Sequence, residues 1–66
     1  MNPNRWSAQF WSFELAEWIE LATYSSGYEL TGALAVAKKD LRNFRRQRLV
    51  DQSGKKAKVV WTEVYG

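Results

Sequence analysis

From Ser7 to Tyr24 the apolar residues Trp11, Leu15, Trp18, Ile19 and Ala22 recur at intervals of three and four, which at about 100° per residue gathers them on one stripe. The spacing predicts an amphipathic helix over residues 7–24. Ser7 is placed to cap it, with Trp6 just before the cap and Trp11 four residues inside, the arrangement of a hydrophobic staple. Ser12 is a rival start. A strand reading of Phe13 to Thr23 competes, because Phe13, Leu15, Ile19 and Leu21 fall on alternate positions, but Glu17 interrupts that face and ranks it second. Ser25, Ser26 and Gly27 then break the pattern, since glycine accepts the left-handed conformation that often ends a helix. Beyond the break, Leu30, Leu34, Ala37, Leu41 and Phe44 keep helical spacing and predict a second helical segment within residues 28–48. Leu49 and Val50, a polar turn from Asp51 to Lys55, and the β-branched and aromatic run Val59, Val60, Trp61, Thr62 and Val64 predict a β-hairpin over residues 49–65. The expected fold class is α+β, mainly α, in a single domain spanning residues 1–66.

Composition narrows how such a chain holds together. At 66 residues it buries only about 60% of the surface its unfolded form exposes, so it needs a staple or unusually dense packing. With no Cys and no His, disulfides and thiolate or imidazole metal sites are excluded, and no cofactor or metal is expected. Aromatic mass remains: four Trp, three Tyr and three Phe, each able to bury about 150–250 Å². Trp11 and Trp18 fall on the predicted buried stripe. Trp6, Phe10 and Phe13 fit it poorly and are the candidate exposed patch, an interface for a homodimer or a protein partner. No apolar run approaches the roughly 18–20 residues of a membrane span, and the N-terminus lacks a signal-peptide pattern. A cytoplasmic protein without membrane attachment is expected, nucleoid-associated if it binds DNA.

Charge divides the chain. Residues 1–34 hold Arg5 against Glu14, Glu17, Glu20 and Glu29, a net of −3, whereas residues 35–66 hold nine Lys or Arg against Asp40, Asp51 and Glu63, a net of +6. Such a one-sided field attracts polyanions. Projected as a helix, Leu34 to Leu49 puts Leu34, Ala37, Leu41 and Phe44 on one side and Lys39, Arg42, Asn43 and Arg46 on the other. Lys38 and Arg45 flank the apolar stripe, and Arg48 lies almost in line with it and must snorkel outward. Arg reads guanine edges, Asn reads adenine edges, and further cations neutralise phosphates.

The run E-L-T-G-A-L-A-V-A-K-K-D-L-R-N-F-R-R-Q-R-L-V, Glu29 to Val50, resembles the helix, turn, recognition helix and first strand of winged helix-turn-helix DNA-binding domains, and D-Q-S-G-K-K-A-K-V-V-W is similar to their wing. The resemblance implies a small winged helix-turn-helix-like domain with a C-terminal β-hairpin wing. It places Lys38, Lys39, Arg42, Asn43 and Arg46 on the recognition helix, and Lys55, Lys56 and Lys58 on the wing; with Arg45 from the flank of the apolar stripe these are the candidate DNA-binding residues. One unbroken helix from Thr31 to Arg48 explains the same spacing, and Gly32 sits inside the presumed first helix.

The expected function is DNA binding, as a small transcriptional regulator or architectural factor. The alternative is a small protein-binding modulator or inhibitor, of the kind mobile elements make against host machinery, docking its basic face on an acidic protein. A third reading is RNA or single-strand binding, in which exposed Trp stacks on bases. Catalysis is not expected. Glu14, Glu17 and Glu20 occupy the polar side of the first predicted helix, with no nucleophile, histidine or metal cluster beside them.

Overall fold

The first half of the chain alternates rather than spirals. In the computed structural model, which describes residues 4–65, strands β1 (Asn4–Ser12) and β2 (Glu17–Ser25) form an antiparallel hairpin where residues 7–24 predict a helix. Trp6, Ala8 and Phe10 point to one face of β1 and Ser7, Gln9 and Trp11 to the other, the two-residue period of a strand. The helical spacing has two physical sources. Trp11 and Trp18, seven apart, are cross-strand partners about the turn. Ile19 and Ala22, three apart, share a face because a bulge inserts Leu21 between the pairs Gln9↔Glu20 and Ala8↔Ala22. The turn is held by the Leu15 N–H donating to Ser12 Oγ at 3.1 Å, and Ala16 takes a left-handed φ of 53° to close it.

Helix α1 (Leu30–Asp40) follows, then β3 (Arg46–Asp51) and β4 (Lys58–Val64), giving an antiparallel sheet in the order β2-β1-β3-β4. The fold is therefore mainly β, with one helix. Neither a helix-turn-helix nor an unbroken helix to Arg48 is present among the described residues, and the winged-helix expectation is corrected accordingly.

The second helix stops short for a tertiary reason. The Leu41 N–H still bonds Ala37 O at 2.8 Å, and the Phe44 N–H turns back to Leu41 O at 2.8 Å. Gln47, 1% exposed, then donates its Nε2 to both Leu41 O and Phe44 O at 2.7 Å, satisfying carbonyls that another helical turn would have used. Phe44 reaches the core through this connector and stacks on Phe10 with centroids 3.9 Å apart.

The helix packs against one face of the sheet, over β1 and β2. Ala33 and Ala37, one helical turn apart, are fully buried in the same core cluster as Ala8 of β1, so small side chains occupy the helix–sheet interface. Trp6, Tyr24, Leu41 and Leu49 complete the core. Trp6, proposed from sequence as part of an exposed patch, is 2% exposed and donates its indole N–H to Tyr28 O at 3.0 Å. Among the described residues the other sheet face carries no helix.

Candidate functional site

Pairing across β2, β1, β3 and β4 sorts the face away from α1 into rows, because residues opposite one another in a sheet share a face; Ser7 and Val50 are buried on it and the other positions are half-buried or exposed. Thr23, Ser7, Val50 and Val59 form one row, and Glu20, Gln9, Arg48 and Thr62 the next. Trp18 and Trp11 pair at the hairpin end, and the following open-face positions of β3 and β4 are the paired residues Arg46 and Val64. Trp11 and Trp18, expected in the core, thus lie half-buried on the open side. Their rings meet edge to face, with centroids 5.5 Å apart and planes at 72°.

Both arginines of β3 bend onto these rings. The Arg48 guanidinium crosses β1 to sit 4.2 Å from the Trp18 ring, while its Nε donates to Gln9 Oε1 at 2.6 Å. Gln9 in turn donates to Ser7 Oγ at 3.0 Å, and Ser7 donates to Glu20 Oε2 at 2.8 Å. This relay locks the middle row. Burial lowers the Arg48 pKa from its ordinary value, but an arginine stays charged throughout the biological range, so the cation is held partly desolvated against an aromatic surface. Arg46 is looser, 5.8 Å from both Trp11 and Phe13. Phe13 projects from the hairpin turn 65% exposed, with Leu15 beside it in the turn at 63%.

At the far end of the sheet Arg5 holds Asp51 in a two-pronged pair, Nε to Oδ1 at 3.1 Å and Nη2 to Oδ2 at 3.0 Å, and lies 4.4 Å from the Trp6 ring. The Arg5 hydrogen bond, reinforced by the Ser53 N–H, drives the Asp51 carboxyl well below the usual carboxylate range. This cation is therefore already committed within the fold.

The residues proposed from sequence as a DNA-binding set do not share a helix face. Lys38 and Lys39 occupy the last turn of α1, and Lys38 Nζ lies 5.6 Å from the Trp61 ring. Arg42, Asn43 and Arg45 belong to the connector between α1 and β3, Arg46 opens β3, Lys55 and Lys56 sit in the β3–β4 loop, and Lys58 begins β4. Arg42, Asn43, Arg45 and Arg46 fall at one end of β3 and Lys55, Lys56 and Lys58 at the other, along a strand about 16 Å long at roughly 3.3 Å per residue, while the Lys38 ammonium lies between them over Trp61, the partner of Leu49. Of the proposed aromatic patch, Trp6 is in the core, Phe10 is half-buried against Phe44, and only Phe13 is exposed. The open-face residues Gln9, Trp11, Trp18 and Arg48 were absent from the sequence-derived site. Their signal is the alternation Ser7-Gln9-Trp11 and Arg46-Arg48, which emerges once the segments are paired as strands.

Among the described residues no cluster of acidic side chains suits a metal ion, and no helix is long and apolar enough to cross a membrane. Comparison with protein-family models, curated proteins and solved structures finds no match.

Proposed function

We propose that the protein binds single-stranded nucleic acid on the open sheet face. The observation that carries this reading is the Trp11–Trp18 pair flanked by Arg46 and Arg48 on a face with no helix over it. Unpaired bases offer flat π-faces that stack on aromatic rings, each stacked base contributing about 1–3 kcal/mol, and a cationic groove alongside tracks the phosphates. Trp11, Phe13 and Arg46 form the receptive end, because Phe13 is exposed and Arg46 stands off both rings. Trp18, Arg48 and Gln9 form the fixed floor, their geometry set by the hydrogen-bond relay. Duplex DNA suits this surface less well. It hides its base faces and is usually read by a helix or ribbon inserted in the major groove, and the basic residues here form no such ridge.

The test is intrinsic Trp fluorescence during titration with oligo-dT, oligo-U and a matched duplex at low salt. Quenching by the single strands, weaker with the duplex, is expected. Trp11→Ala should weaken single-strand binding about tenfold, a stacking loss of roughly 1–2 kcal/mol. Absence of single-strand binding at low salt, or a Trp11→Ala variant that folds and binds unchanged, would overturn the assignment.

A further inference from the structure

We infer that two copies of the chain associate by antiparallel pairing of their β4 edges about a two-fold axis between Val60 and Trp61, making one eight-stranded sheet. β4 ends the sheet, so the outward backbone groups of Lys58–Val64 have no strand partner among the described residues. Exposed apolar side chains gather there: Val59, Val64 and the adjoining Tyr65 are all about half exposed, and Val60 and Trp61 are only partly covered on the helix side.

The register follows from a bulge. Leu49 pairs with Trp61 and Val50 with Val59, leaving Val60 as the extra residue. The two residues of a bulge that oppose a single partner disturb the alternation, and both Val60 and Trp61 pack toward the helix-side core. Pairing therefore places Lys58 and Glu63 on the helix side with Trp61, and Val59 and Thr62 on the open side. A regular strand pairing with itself about a point between two residues would set opposite faces against each other. A strand with one bulge at that point does not: Lys58 meets the partner's Glu63, Val59 the partner's Thr62, and Val60 the partner's Trp61, each pair on one face.

Edge bulges normally discourage pairing with a regular strand, and here the bulge favours a partner carrying the same irregularity, which a second copy does. The charges agree. Lys58 and Glu63 have no ion-pair partner within the chain among the described residues, and the register joins them twice across the axis. The other edge, β2, also has a bulge, at Leu21, but its charged residues are Glu17 and Glu20, so self-pairing there would gather carboxylates of one sign with no cation on the strand to offset them. In the β4 dimer the two open faces become continuous. The pairing itself rests only on the β4 edge and stands whether or not the open face binds nucleic acid.

The experiment is sedimentation equilibrium or light scattering across a concentration series of the full chain, with thermal melts of each variant to verify folding. The wild type is expected to reach a dimer at high micromolar concentration. Lys58→Glu or Glu63→Lys alone sets two like-charged pairs across the axis and should raise the dissociation constant about tenfold, while the double exchange Lys58→Glu/Glu63→Lys should restore it to within about threefold. A wild type that stays monomeric throughout would overturn the dimer. Equal behaviour of the folded single variants and wild type, or failure of a folded double variant to recover, would overturn this register. Nucleic-acid titration of the same variants separates this outcome from the fate of the binding proposal.

Discussion

Two titratable side chains tie the fold to pH in opposite senses. The Tyr24 hydroxyl is buried and donates to Asp40 Oδ2 at 2.6 Å. Burial foremost, then that hydrogen bond and the nearby carboxylate charge, raises its pKa above the ordinary tyrosine value. A folded-state pKa above the unfolded one gives stability that is whole below about pH 10 and is lost as pH rises past it. Asp51 behaves conversely: its pKa is depressed in the fold by Arg5 and Ser53, so its contribution is whole above about pH 4 and fades as pH falls below that. Chemical denaturation across pH should show loss on both limbs. Tyr24→Phe should flatten the alkaline limb and Asp51→Asn the acid one, each leaving the other limb in place. Neither role is legible from sequence, because Arg5 and Asp51 are 46 positions apart and Tyr24 and Asp40 are 16 apart. Only the β1–β3 pairing and the helix return bring them together.

The elements reveal how far periodicity reaches. The run Val59, Val60, Trp61, Thr62 and Val64 reads as a strand and lies in one, since β-branched and aromatic side chains fit a pleated, half-buried surface. Residues 7–24 mislead because β1 carries aromatic rings on both faces and β2 carries a bulge, so the two-residue alternation of hydrophobicity is erased while spacings of three, four and seven survive. The helix is legible from Leu30 to Ala37, but its end is decided by Gln47, whose amide captures the Leu41 and Phe44 carbonyls. The contact between α1 and β1 depends on alanines, and Ala37 has no exposed surface. Ala37→Leu should cost about 1–3 kcal/mol by overpacking. In a domain of this size that lowers the melting temperature by several degrees, at about 4–8 °C per kcal/mol. The same substitution at exposed Ala35 should leave the melt nearly unchanged, since leucine forms helix almost as well as alanine.

For the whole molecule, the net charge of +3 matters less than where the cations stand. If the open face engages a single strand through Arg46 and Arg48, only two phosphates are neutralised. At about 0.7 counterions per phosphate, the slope of log K against log salt should be roughly −1.4. A slope twice as steep would mean that the lysine loop and the α1–β3 connector also carry phosphate contacts. The sequence alone determined the charge division, the exclusion of disulfide and histidine–metal chemistry, the weight of aromatic packing and the strand character of residues 59–64, because these depend on residue identity or on near neighbours. The sheet order, the bulges, the end of the helix and the exposure of Trp11 and Trp18 rather than Trp6 were decided by tertiary structure. A side chain's face in a sheet depends on which distant strand its backbone hydrogen-bonds to and in what register, and one extra residue in a strand reverses the face of those that follow it.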